Sequence, residues 1–304
     1  MTENPTPRVP DAGRFWSDAE VVLAPDDPRP GAWVGAPSAQ LVDGTWWLAY
    51  RLRQPVGEGR GCANVVGRSE DGVRFTPVVH LDKDAFGAES LERPALVHTP
   101  DGRWRLYVSC ATPGSKHWRV DLLEADTVEN LATATPRTVL PGSDIEAVKD
   151  PVIRHDGRQW HLWASVHPLD DPDATDRMTT EHATSPDGVD WTWHGTALAG
   201  TPGSWDARGV RFAAVVLDGG RSWALYDGRG TAAENWEERT GLAFSDGNGD
   251  FRSVADGPFL QSPHPPNGLR YAEVVALPAG SARWFYEATR ADGAHELRTV
   301  LLPG

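Results

Sequence analysis

The sequence predicts an all-β fold, a five-bladed β-propeller, from three observations. A strand-turn-strand pattern recurs, with Pro37, Pro94 and Pro151 each 57 residues apart. The chain carries 14 Trp, 31 Gly and 25 Pro, and no long stretch holds a helical period. The recurring units use up the 304 residues. Strands at regular spacing without intervening helices exclude α/β barrels and doubly wound sheets. Radial stacking lets small sheets that cannot bury both faces alone do so together.

The units follow in order. Residues 36–50 read APSAQLVDGTWWLAY, 93–107 read RPALVHTPDGRWRLY and 150–163 read DPVIRHDGRQWHLW. Each has a proline, an apolar run, an Asp-Gly turn and a Trp, the pattern of a β-hairpin. Two looser copies are RFAAVVLDGGRSWALY at 211–226, with Phe212 in the place of the proline, and RYAEVVALPAGSARWFY at 270–286. A second element follows in three units: SEDGVRF at 69–75, SPDGVDW at 185–191 and SDGNGDF at 245–251. Asp caps such a turn and Gly takes its positive φ, so these are read as structural turns. Each unit then holds two central strands, a third and an outer strand. Residues 1–304 are taken as one domain, with 1–12 as a loose, proline-rich arm. Trp47, Trp104, Trp160, Trp223 and Trp284 recur at strand positions and belong to the core.

A formal charge of −14 argues against nucleic acid and anionic membrane as partners and leaves a small-molecule substrate. Two cysteines, Cys62 and Cys110, make no disulfide framework and are expected as buried free thiols. The opening MTENPTPRVPDAGRFW has no signal-peptide pattern, and no apolar run is long enough to span a membrane, so a cytoplasmic location is expected. His98, His155, His161 and His264 lack metal-ligand spacing, so neither metal nor cofactor is expected.

The first strand of each propeller blade lines the central channel. The residues around the prolines therefore converge on one mouth, where charges such as Lys149 and Asp150 are expected to stand in a wet funnel. Asp150, Glu92 and Glu273 are the candidate catalytic carboxylates. Arg93, Lys149, Asp206, Arg208, Arg211, Arg270 and Tyr271 are candidate substrate-binding residues, with Trp33 as a sugar-stacking platform. Guanidinium forks match carboxylate or phosphate, so the substrate is expected to be a sugar or other polar metabolite, and an anionic one.

The segments KDPVIRHDGRQWHLW and ERPALVHTPDGRWRLY, with the Ser/Asp-Gly/aromatic turns, resemble the five-bladed propeller glycosidases of glycoside hydrolase family 43 and its relatives in families 32, 68, 117 and 130. As architecture, the resemblance covers nearly the whole chain. It implies an Asp base on blade one, an orienting Asp on blade three and a Glu acid on blade four. Asp150 matches the blade-three residue. Blade one offers Ala36 instead, and the blade-four segment WDARGVRF has no Glu. Inverting hydrolysis uses two carboxyl groups roughly 6.5–9.5 Å apart, and here the usual pair is not in the usual places. The function expected is glycoside hydrolase-like cleavage of a small anionic glycoside. The alternatives are a lyase, cyclase or rearrangement enzyme, a glycoside phosphorylase, and a non-catalytic sugar-binding module.

Overall fold

A computed structural model describes residues 12–218, 221–245 and 249–304. Its strands form five four-stranded antiparallel units. The first is β2 (Trp33–Val42), β3 (Thr45–Arg53), β4 (Gly61–Ser69) and β5 (Thr76–Asp82). The second is β6 (Leu91–His98), β7 (Trp104–Ala111), β8 (Trp118–Ala125) and β9 (Arg137–Leu140). The third is β10 (Glu146–His155), β11 (Trp160–Pro168), β12 (Thr179–Ser185) and β13 (Thr192–Leu198). The fourth is β14 (Gly209–Asp218), β15 (Arg221–Arg229), β16 (Arg239–Ser245) and β17 (Arg252–Ser253). The fifth is β18 (Leu269–Ala276), β19 (Ala282–Thr289) and β20 (His295–Leu302), completed by β1 (Glu20–Leu23) from the beginning of the chain.

The core lies between the blades. Ala49 and Val66 of blade one pack with Leu96 and Leu106 of blade two. Val97 and Tyr107 meet Val148 and Leu162 across the next interface, and Val152 and Trp163 meet Phe212 and Val215 across the third. Leu225 meets Val274 and Trp284, and Phe285 and Leu297 meet Leu48 and Val65, which closes the ring. These five layers are the radial stacking that the repeat predicts. Trp104, Trp160 and Trp284 are buried in them, while Trp47 and Trp223 pack at their edges, partly buried.

The Ser/Asp-Gly turns are structural. Ser69 Oγ accepts from the amides of Asp71 and Gly72, and Asp71 Oδ1 from those of Val73 and Arg74. Ser185 and Asp187 repeat this geometry. Part of the third turn, at 246–248, and the tip of the 211–226 hairpin, at 219–220, lie outside the described residues.

The ring closure was not anticipated. Residues 1–11 of the expected arm lie outside the described residues, but a short helix, α1 (Ala12–Ser17), docks on blade five. Its Phe15 is fully buried, stacked 4.9 Å from Tyr286 and edge-on to Trp284 at 5.8 Å. Both cysteines are free; Cys110 is buried and Cys62 partly so. Among the described residues no helix is long and apolar enough to cross a membrane.

Each inner strand is interrupted by a bulge: between Gly35 and Ser38, Leu91 and Pro94, Lys149 and Val152, Phe212 and Ala214, and Arg270 and Glu273. A bulged residue is left unpaired, so proline is tolerated there at Pro37 and Pro151, while Pro94 resumes the ladder opposite Val108. The register corrects one alignment: Ala213 holds the proline place on blade four, and Phe212 matches Asp150. It also moves the Lys-Asp pair from the head of a strand to its interior.

Candidate functional site

The bulges place equivalent residues of the five blades around one end of the channel. Gly35, Glu92, Lys149, Arg211 and Arg270 occupy one level; Ala36, Arg93, Asp150, Phe212 and Tyr271 occupy the next. Ala36, Asp150 and Tyr271 have φ of 53°, 54° and 54°. For residues other than glycine this left-handed region is costly, and such strain concentrates at functional sites.

The second strand of four of the blades backs these residues with partners. Arg51 faces Gly35, Ser165 faces Lys149, Asp227 faces Arg211 and Glu287 faces Arg270. Gly35 is required here, because a Cβ would sit 2.1 Å from Glu287 Oε2. Arg211 donates to Asp227 Oδ2 from Nε (3.1 Å) and Nη2 (2.7 Å), and from Nη1 to Asp150 Oδ2 (3.1 Å). Arg270 donates to Glu287 Oε1 (2.8 Å) and Glu238 Oε2 (2.9 Å), and its Nη2 has no partner. Arg51 pairs with Glu92 and with Glu287, and Arg229 pairs with Glu238.

These groups are not in a wet funnel. Asp150 is 0% exposed, Arg211 and Arg270 2% each and Glu92 4%, so they persist as charges only through mutual pairing. Burial alone would raise the pKa of Asp150, but Lys149 and then Arg211 hold its carboxyl well below the usual range. Glu238 is also held low: burial opposes ionisation, and Arg229, Arg270 and Arg211 overcome it. Burial, with Glu238 adding, lifts Asp227 to about 6 against the pull of Arg211. Burial pushes Lys149 down to about 8, with Arg211 adding and Asp150 opposing. Burial pushes the Tyr271 phenol up to about 12.

A cavity of about 210 Å³ opens above this layer. Its floor is Glu92, Lys149, Arg211, Arg270 and Tyr271. Trp118, His167, Met178, Arg229 and Glu238 form the walls, and Arg60, Lys116, Asp176 and Trp236 the rim. Asp150 lies directly beneath, 3.5 Å from both Lys149 Nζ and the Tyr271 hydroxyl. His167 Nδ1 donates to the Thr175 carbonyl (3.0 Å), so Nε2 accepts from the Ser165 hydroxyl (3.1 Å). Burial, with Lys149 nearby, pushes His167 down to about 3, so it stays neutral.

The structure thus gathers Asp150, Glu92, Lys149, Arg211, Arg270 and Tyr271. It places the other candidates elsewhere. Arg93 lies in the channel, donating to the carbonyl of Ala213 (2.6 Å) and to Glu273 (3.1 Å), and Glu273 also binds Arg154 (2.6 Å). Asp206 accepts from the Tyr226 hydroxyl and the Thr201 amide within blade four. Arg208 is paired with Asp176 outside the cavity lining. Trp33 is buried behind the floor, stacked 4.5 Å from His295 with Arg53 3.9 Å over its ring. Sequence reasoning missed His167, Arg229, Glu238, Asp227 and Glu287. Among the described residues no group of three or more His, Cys, Asp or Glu is placed to hold a metal ion.

No protein-family model matches the chain. No curated protein matches it in sequence. Solved structures do match. An α-L-arabinofuranosidase from Lactobacillus brevis superposes with a TM-score of 0.64 at 14% identity, covering 92% of both chains. A thermostable family-43 glycoside hydrolase gives 0.66 at 13% identity, again over 92% of both. A structure from work on the family of mannoside phosphorylases containing glycoside hydrolases that target β-1,2 mannosidic linkages in Candida mannan gives 0.63 at 16%, covering 92% and 91%. At these identities the likeness establishes that the chain has the propeller fold of these glycoside-cleaving proteins.

Proposed function

We propose that the protein is a carbohydrate-active enzyme that cleaves a glycosidic bond in a small anionic sugar held at the channel mouth. The observation that carries this reading is the convergence of Lys149, Arg211, Arg229 and Arg270 on one cavity, above a strained, buried carboxylate. Arg270, whose Nη2 has no hydrogen-bond partner among the described residues, lines the same cavity. The cavity is smaller than the roughly 300–1,000 Å³ of drug-sized sites, which suits one sugar unit better than a polymer groove. The shared fold with glycoside-cleaving proteins supports the reaction class, although fold alone does not fix it.

The usual hydrolytic carboxylates are replaced: Ala36 stands on blade one, and Arg211 holds the inner-strand level on blade four. The sugar's own negative charge explains a cation there. The same cations favour a second reading, phosphorolysis with free phosphate in the site. The test is turnover of aryl glycosides, aryl uronides and uronide disaccharides, with and without phosphate, read by mass spectrometry for wild type and Asp150→Asn. Cleavage of acidic substrates that is lost in the variant supports the proposal, and an absolute phosphate requirement selects the second reading. Absence of cleavage across the panel overturns both.

A further inference from the structure

The chain has 26 arginines and only three lysines, Lys83, Lys116 and Lys149. Among the described residues arginine supplies the cation that meets Asp227, Glu238 and Glu273, whereas Asp150 meets a lysine as well. On blades four and five the inner-strand level above the bulge carries Arg211 and Arg270; on blade three the same level carries Lys149. Arginine cannot give up its proton in a protein, whereas a buried lysine readily does. The Lys149 side chain is only 13% exposed, and it lines the cavity. Its Nζ lies 3.5 Å from Asp150 and 4.8 Å from the centre of the Trp118 ring. The carboxylates and the histidine of the cavity are committed, and Lys116 stands exposed at its rim. Glu92 is tied to Arg51, Glu238 to Arg229 and Arg270, and Asp176 to Arg208. His167 uses both ring nitrogens on Ser165 and Thr175.

On the reading given above, we propose that Lys149 is the proton-transfer residue of an eliminative cleavage, and that the substrate class is a uronide whose C4 oxygen carries the scissile linkage. Arg211, Arg229 and Arg270, each already paired with a protein carboxylate, give the uronate carboxylate a cationic surrounding beyond those pairs, which acidifies the adjacent C5–H bond. The free amine of Lys149 takes the C5 proton. The electron pair of the broken C–H bond forms the C4–C5 double bond as the C4–O bond breaks. The leaving oxygen accepts the proton back from the Lys149 ammonium. No water is added and no oxidant is needed, and the reaction needs no carboxylic acid/base pair, in keeping with Ala36 and Arg211 at the positions where such a pair is usual. A lysine moved toward neutrality by burial is a recurrent general base.

The experiment follows 4-O-linked uronide oligosaccharides with wild type, Lys149→Arg and Lys149→Met. Products are read by mass and by the ultraviolet absorbance of the unsaturated uronide. Expected are products whose masses sum to that of the substrate, loss of the label from a substrate deuterated at C5, and a rate that rises with pH until the amine is free. Both variants lose about 10²–10⁴-fold in rate. Lys149→Arg still binds uronate within a few-fold, which separates lost proton transfer from lost binding. Separately, the protein labelled with carbon-13 at the lysine ε-carbon gives three signals to titrate, with Lys149→Arg assigning the third. If Lys149 titrates as an ordinary free lysine amine does, or if Lys149→Arg retains the wild-type rate, the proposal fails even in a folded protein. Products carrying an added water overturn the eliminative route and leave glycosidic cleavage standing. Wild type inert on every glycoside overturns both.

Discussion

Lys149 and Arg211, from the same level of neighbouring blades, reach the same oxygen of Asp150: Nζ stands 3.5 Å and Nη1 3.1 Å from Oδ2. The other oxygen, Oδ1, accepts from the Arg93 amide at 3.3 Å, and the Asp150 amide donates to Ser109 Oγ at 2.8 Å. One carboxylate therefore joins blades two, three and four at the channel mouth.

Asp150→Ala is expected to cost about 3–5 kcal/mol, because it leaves two buried cations without their shared partner. Alanine also fits poorly at a φ of 54°, whereas asparagine tolerates that region and keeps an acceptor for the Arg93 amide. Asp150→Asn should thus lose activity with the smaller loss of stability. Urea denaturation of both variants beside the turnover assay checks this; equal stability losses would mean that backbone and hydrogen bonding contribute nothing.

Glu238 is shared among Arg229, Arg270 and, at 3.9 Å, Arg211. Glu238→Gln removes one negative charge from the cavity wall while keeping its shape. Inorganic phosphate or a uronate is expected to bind roughly tenfold more tightly, equivalent to about 1.4 kcal/mol, and more so at low salt. Titration calorimetry at two ionic strengths reads the change. Weaker binding in the variant would show that Glu238 aligns the arginines more than it cancels them.

His167 gives the fold an acid-sensitive element. Its folded pKa is about 3, against roughly 6.5 in the unfolded chain. Between these values the unfolded state binds a proton that the folded state does not, so stability falls as pH drops from about 6.5 toward 3, and this contribution is flat above that window. His167→Gln should lessen the acid loss by on the order of a few kcal/mol. Melting temperatures from pH 7 to pH 4 test it; parallel curves for variant and wild type would place the acid sensitivity elsewhere.

The repeat was legible because proline, Asp-Gly and Trp recur for local reasons: a strand bulge, a positive φ and an interblade layer. Half of the site was not. Counting outward from the hairpin turn pairs Val152 with Trp163 correctly, but the bulge then shifts the register so that Lys149 meets Ser165 rather than Val166. The same one-residue shift hides Asp227 opposite Arg211 and Glu287 opposite Arg270. A one-residue error turns every second-strand side chain to the wrong face, so their approach to the channel could not be counted from the turn. Glu238 precedes β16, and local pattern says nothing of where such a residue reaches. Arg93 and Glu273 were assigned to the right strands. Their depth depends on which way each side chain runs along the channel, a tertiary property.

Gly188 sits at φ 76° in the Ser185–Asp187 turn of blade three, and its carbonyl accepts from the buried Tyr107 hydroxyl of blade two at 2.8 Å. A Cβ there would lie 2.5 Å from Arg105 Nη1 and 3.2 Å from the Trp160 ring. Gly188→Ala therefore combines a disfavoured backbone with crowding against the neighbouring blade, and should cost about 1–3 kcal/mol. Gly157, also at positive φ, has nothing within 4 Å of its added Cβ, so Gly157→Ala isolates the backbone part, about 1 kcal/mol. Denaturant titration of the two variants separates the terms. Equal losses would mean that the blade-two contact yields without cost and that the turn is held by its own Ser-Asp hydrogen bonds alone.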